Sequence, residues 1–248
     1  MPYRRLPNTD AARFKALTIA LKKAKEIPPF QLAFSQATYR RILAFMPQFE
    51  KAMAQYKSTY SHQIKKNKEY LASLKKAKLY ISHFVQVLNM AITRGEFPAS
   101  TRIFFSIEEK DSRVPTLNTE LSVIEWGDKI IRGEELRKMK GLTPVSNPSA
   151  AIVKVRFENF KDAYNFQKTL QKDNKRALDI LGKLRDEADE IILAIWNEVE
   201  ESYKNDTEKA RRDKAIEYGL IYVYRKNELK TISIMEKHQL KLFPADID

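Results

Sequence analysis

"MAQYKSTYSHQIKKNKEYLASLKKAKLYISHFVQVLNMAITRG", residues 53–95, decides the fold. Steps of three and four residues link Met53, Tyr56, Tyr60, Gln63, Asn67, Tyr70, Leu74, Ala77, Ile81, Phe84, Leu88 and Ala91. That is a seven-residue repeat, the spacing of a helix with one buried seam, and Gln63 and Asn67 are polar slots at its centre. Neither Gly nor Pro falls between Pro47 and Gly95. The spacing therefore predicts a long helix from about 36 to 94, kinked at Pro47 and stopped by Gly95.

The same alternation returns at Ala163, Phe166, Leu170, Asp173, Ala177, Ile180, Leu184, Glu187, Ile191 and Ala194, each 110 residues after a counterpart. A second long helix from 148 is expected, opened by Asn147 as cap and Pro148 in the first turn. Identities at this offset include Leu71/Leu181 and Ile81/Ile191. They suggest an internal repeat. Each helix either runs unbroken or folds back near 62–68 and 172–175, giving a four-helix bundle.

Shorter elements surround these. An amphipathic helix is expected at 10–26, with Phe14, Leu17 and Leu21 on its apolar face. "RIFFSI" (102–107) reads as a short strand or extended segment. A helix follows Asn118 or Thr119, burying Leu121, Ile124, Ile130 and Ile131, with Gly127 and Gly133 marking close approaches. A final helix spans 207–218, and "LIYVYRKNELKTISIM" (220–235) alternates like a β-hairpin. The expected fold is mainly α: two long antiparallel, coiled-coil-like helices with short packing helices and a minor β element. The chain divides into a basic helical half (1–98), a connecting region (99–147) and a second helical half (148–248), as one structural domain.

The net charge of +13 is lopsided. Residues 1–98 carry 18 Lys and Arg against 5 Asp and Glu, whereas 99–248 carry 27 of each. Such asymmetry hints at an anionic partner. On a helical wheel Lys65, Lys68, Lys75 and Lys76 oppose the seam, flanked by Lys66 and Lys78, in a stripe ~16 Å long. They are candidates for binding a polyanion or a protein partner, with Tyr70 and Tyr80 at the margins. Arginine, the bidentate reader of phosphate, is almost missing from this stripe. The stretch "RDEADEIILAIWNEVEES" of the second long helix is acidic, and attraction between it and the lysine stretch, within the fold or across a dimer, is the plainer use of both.

Chemistry-bearing motifs are few. The chain has no Cys, so thiol catalysis, disulfides and Cys-bound zinc are excluded. Its His residues are His62, His83 and His238, too few for the carboxylate–His pairs of a di-metal bundle. His83, Gln86 and Arg94 share a face and form a candidate polar pocket. No cofactor or metal is expected. "MPYRRLPNTD" lacks an apolar run after its arginines and no segment approaches eighteen apolar residues, so neither a secretory leader nor a membrane span is expected, and the location is expected to be cytoplasmic.

"SHFVQVLNMAITRGEFPAS", "EWGDKIIRGEELRK", "NPSAAIVKVRF", "EIILAIWNEVE" and "EYGLIYVYRKNE" together resemble a mainly helical bacterial protein family of the Bacteroidetes type. The resemblance covers nearly the whole chain and implies no activity or ligand. The expectation is a non-enzymatic scaffold or protein-binding protein acting through its long helix faces, its partner another protein or a second copy of itself. The alternative is a nucleic-acid-associated protein using the basic N-terminal helices.

Overall fold

The computed structural model describes residues 2–225. Five α-helices carry the described fold: α1 (Asp10–Glu26), α2 (Gln36–Thr93), α3 (Glu120–Met139), α4 (Ala150–Ser202) and α5 (Glu208–Ile216). Two short strands, β1 (Tyr3–Arg4) and β2 (Tyr222–Val223), pair antiparallel, and 3-10 turns lie at Pro29–Gln31 and Ala99–Phe105. Hydrogen bonding continues helically through 62–68 and 172–175, so neither long helix folds back there, and Pro47 lies inside α2.

Contacts group the described residues into two compact units, one made of the chain up to Lys57 and from Arg176 to Arg225, the other of Ser58–Lys175. In the first unit α1, the start of α2, the end of α4 and α5 enclose Leu17, Ile42, Phe49, Ile191, Trp196 and Tyr218. Thr9 begins α1 by accepting from the Ala12 backbone N–H, as its residue type predisposes it to do. Tyr3 pairs with Val223 and Arg4 with Tyr222. The β element expected at 220–235 is thus tied to the N-terminus, and the rest of that segment lies outside the described residues.

In the second unit Ile81, Phe84, Leu88, Phe105, Ile130, Val153 and Phe160 form the core. α3 starts with a reciprocal capping box between Thr119 and Ser122. Its buried side is Val123, Gly127, Ile130, Gly133, Glu134 and Arg137, while Leu121 is 71% exposed. Both glycines are required by close approach. A Cβ on Gly127 would overlap the Phe157 ring, and one on Gly133 would come within 2.5 Å of the Phe104 carbonyl oxygen. Residues 102–107 are not a strand: the chain turns in a 3-10 segment and leaves it through Ser106 at φ 56°. Phe105 thereby drops into the core between Phe84 and α3, edge-on to Phe84 at 5.4 Å.

The start of α4 also differs from expectation. Asn147 sits at φ 56° before a cis proline, which is not a cap conformation. The Ser149 carbonyl instead accepts from the Ile152 and Val153 N–H groups. The loop before it is held by a buried ion pair. Glu134 accepts from the Val145 N–H at 2.9 Å, and Arg137 donates to the Thr143 carbonyl at 2.5 Å. The Arg137 guanidinium lies 4.7 Å from the Phe97 ring centroid.

The seam of α4 corrects the expected register. Leu170, Ala177 and Ile191 are buried as read, but Phe166 and Ile180 are 47% and 52% exposed. Gln167, Leu181, Ala188 and Ile195 take the alternate positions. The offset of 110 preserves environment at some positions and not at others: Ile81 and Ile191 are both buried, whereas Leu71 is exposed and Leu181 is buried.

Candidate functional site: the basic helix faces of residues 58–175

The polar slots foreseen in α2 are filled. In the second unit α2 and α4 run antiparallel, and Asn174 donates to Gln63 at 2.9 Å while Gln167 donates to Asn67 at 3.2 Å. Gln167 is 5% exposed, and its Oε1 has no hydrogen-bond partner. A polar rung of this kind fixes which residues face each other, because a slip would bury unpaired amides. It therefore fixes the outward faces as well.

Those outward faces are basic. Residues 58–175 hold 21 Lys and Arg against 13 Asp and Glu. Lys65, Lys68, Lys75 and Lys76 are all exposed, as the wheel predicted, and none forms an ion pair among the described residues. Lys66 is bound by Glu69 at 2.9 Å. Tyr70 is not at the margin of the lysine stripe: it is buried and donates its hydroxyl to Glu120 at 2.8 Å.

A second row escaped the sequence reading. Lys154, Lys161, Lys168 and Lys175 recur every seven residues along α4, with Lys172 beside them. Residues seven apart drift only ~20° around a helix, so the row is nearly straight. All five are exposed. Lys154 approaches Glu135 and Glu158 at 4.0 Å each, and Lys161 and Lys168 lie over the rings of Phe157 and Tyr164 at 5.7 and 5.2 Å. The heptad spacing was the available signal.

Opposite charge is spent elsewhere. In the first unit the acidic stretch of α4 is met by the N-terminal arginines, not by the lysines of 61–84. Arg13 grips Asp189 through two hydrogen bonds of 2.8 Å, and Arg185 grips Asp10 at 2.7 and 2.8 Å. Arg41 reaches Glu190 at 3.0 Å, and Arg4 reaches Glu200 at 3.3 Å. Glu198 accepts from the Thr38 hydroxyl at 2.6 Å and from the Ser35 N–H at 2.5 Å. The bidentate pairs are the strong ones. Tyr222 donates to Glu200 at 2.6 Å, and burial followed by this bond pushes its phenol well above the usual range.

His83, Gln86 and Arg94 do not converge. All three are exposed. His83 borders an open cleft of about 340 Å³ with Leu79, Tyr80, Asn147 and Pro148, which neither Gln86 nor Arg94 lines. Arg94 is held by Glu96 at 2.6 Å, the hydrogen bond being the main cause of its raised pKa. A second cleft of about 400 Å³ is lined by Glu108, Asp111, Arg113 and Trp126 among others, and its Arg113 is paired to Asp111 at 3.0 Å. Among the described residues no cluster of three metal-ligating side chains occurs, and no helix is long and apolar enough to cross a membrane. Comparison with protein-family models, with curated proteins and with solved structures finds no match for this chain.

Proposed function

We propose that this protein is a non-enzymatic helical binding protein whose contact surface is the basic face of its second unit, and that its partner is an acidic protein. One observation supports this reading above the others. Within the acidic stretch of α4, Asp189, Glu190 and Glu200 are engaged by Arg13, Arg41 and Arg4, while Lys65, Lys68, Lys75 and Lys76 form no ion pair among the described residues. An uncompensated row of lysines on a rigid helix favours long-range attraction of an anionic surface.

A nucleic-acid partner is the second reading, favoured by the same unpaired lysines. Its surface keeps the α2 lysines expected for it and adds those of α4, while Arg4, Arg13 and Arg41 are engaged by carboxylates. Against it stands the side-chain chemistry: the row is lysine without arginine, so bidentate recognition of phosphate is missing.

Charge reversal tests the proposal. The quadruple variant K65E/K68E/K75E/K76E changes only exposed residues, so helicity should persist. Its affinity for an acidic polypeptide such as polyglutamate should fall by roughly 10-fold or more at low salt. Unchanged affinity would remove this face from the account.

A further inference from the structure

Two stripes in residues 58–175 look toward the same side. On α2, Tyr60, Ile64, Leu71 and Lys78 follow one another at steps of four, seven and seven, and so lie along one line. On α4, Lys161, Lys168, Lys172 and Lys175 do the same. The first residue of α3 joins them. Glu120 accepts from Tyr70, and its carboxyl is held below the usual range by its own backbone N–H, by that hydroxyl, and by the charges of Lys168 and Lys78. On α4, Lys161 lies over the Phe157 ring, against which Gly127 of α3 packs, and Lys168 lies over the Tyr164 ring, so this stripe is on the side where α3 packs; the charge of Lys78 from the α2 stripe acts on the same first carboxylate of α3 as that of Lys168.

α3 begins at Glu120 and covers the pair from there toward Phe157 and Phe105. Toward Tyr60 and Lys175 no described helix of this unit continues it. The stretch of α2 beyond α3 carries exposed apolar side chains: Ile64 and Leu71 are 50% and 51% exposed, and Tyr60 at its end is 48% exposed. Lys168, Lys172 and Lys175 rim it on α4, and Lys68 rims it on α2; all four are exposed. From Tyr60 to Leu71 the strip is ~16 Å long, about three helical turns.

We infer that this strip seats an acidic amphipathic helix of a partner protein, which extends the packing of α3 along α2 and α4. The inference rests on the acidic-protein reading above and gives it an address. Apolar residues at i, i+4, i+7 and i+11 of the partner cover Tyr60, Ile64 and Leu71, and flanking glutamates meet the lysines. Glu120, whose carboxyl is stabilised in part by the charges of Lys78 and Lys168, is the chain's own acidic group at this face. A nucleic acid uses the lysines but leaves Ile64 and Leu71 wet, which is why the helix is favoured.

The test uses the full chain and a fluorescent helical peptide of about four turns, leucine on one face and glutamate on its flanks. The comparison probes are a scramble of the same composition, polyglutamate and a labelled thymidine 20-mer. The variants are I64K/L71K, which adds positive charge while removing apolar surface, and K168E/K172E/K175E. All five positions are exposed, and circular dichroism checks the fold.

The peptide should bind at least ~10-fold tighter than its scramble, since apolar burial needs the pattern. I64K/L71K should weaken it by a similar factor while leaving polyglutamate binding equal or stronger. If the scramble equals the peptide, or I64K/L71K strengthens both, the inference fails and the acidic-partner reading stands. Tighter binding of the oligonucleotide overturns both in favour of nucleic acid. Concentration-dependent dimerisation lost in I64K/L71K names a second copy as occupant and overturns the inference. If no anionic probe binds, both fail.

Discussion

Tyr70 shows how one buried side chain ties the elements of the second unit together. Its hydroxyl on α2 holds the first carboxylate of α3, and burial, then that hydrogen bond, pushes its pKa up to about 12. Tyr218 in the other unit is likewise pushed to about 12, chiefly by burial. In the unfolded chain a tyrosine loses its proton near 10. Between pH 10 and 12 the unfolded state therefore binds fewer protons than the native one, so stability is full below pH 10 and falls as pH rises. Tyr70→Phe should cost roughly 1–3 kcal/mol at pH 7, because a charged acceptor loses its donor. Its urea midpoint should then fall less steeply than that of wild type from pH 10 to 12. A parallel fall would remove Tyr70 from the titrating groups. The sequence offered Tyr70 as a seam residue and as a flank of the lysine stripe; only the first role is seen, because a residue in the seam cannot also sit opposite it.

The long helices were legible because a sustained three–four alternation without Gly or Pro has few other solutions. Their register was less so. In α4, Phe166 and Ile180 are apolar yet exposed, and Gln167 is polar yet buried. Hydropathy alone therefore pulled alternate positions of the seam one residue off. Residues 102–107 failed differently, since a short segment with four apolar residues in six fits a strand and a tight 3-10 turn equally well. The Gln167–Asn67 and Asn174–Gln63 rungs carry a prediction at this scale. Asn67→Leu alone strands the Gln167 amide and should cost about 1–3 kcal/mol. Asn67→Leu with Gln167→Leu removes both partners and the unpaired Gln167 Oε1, and should restore wild-type stability or exceed it. A double-mutant cycle by urea unfolding checks this; strictly additive losses would mean that the two side chains are uncoupled.

Across the whole molecule, the uneven charge along the sequence becomes a sorting of charge between two surroundings. Arginines near the N-terminus meet carboxylates of α4 within the first unit, whereas Lys65, Lys68, Lys75 and Lys76 of α2 in the second form no ion pair among the described residues. The sequence showed the α2 lysines and the acidic stretch, but not who meets whom. Arg13 and Asp189 are 176 residues apart, and no local pattern links them. The α4 row was readable as Lys154, Lys161, Lys168 and Lys175, yet its meaning depends on α3 starting at Glu120 beside Lys168 and Lys78. The pocket imagined around His83 had only helical adjacency in its favour, and side chains sharing an exposed helix face need no common cavity.

The most direct test of the account is fluorescence anisotropy of the wild-type chain with an acidic polypeptide and a single-stranded oligonucleotide of matched charge, from about 50 to 300 mM salt. The account predicts tighter binding of the polypeptide at every salt concentration, with affinity falling as salt rises. Tighter binding of the oligonucleotide throughout, or no salt-dependent binding of either, would contradict it.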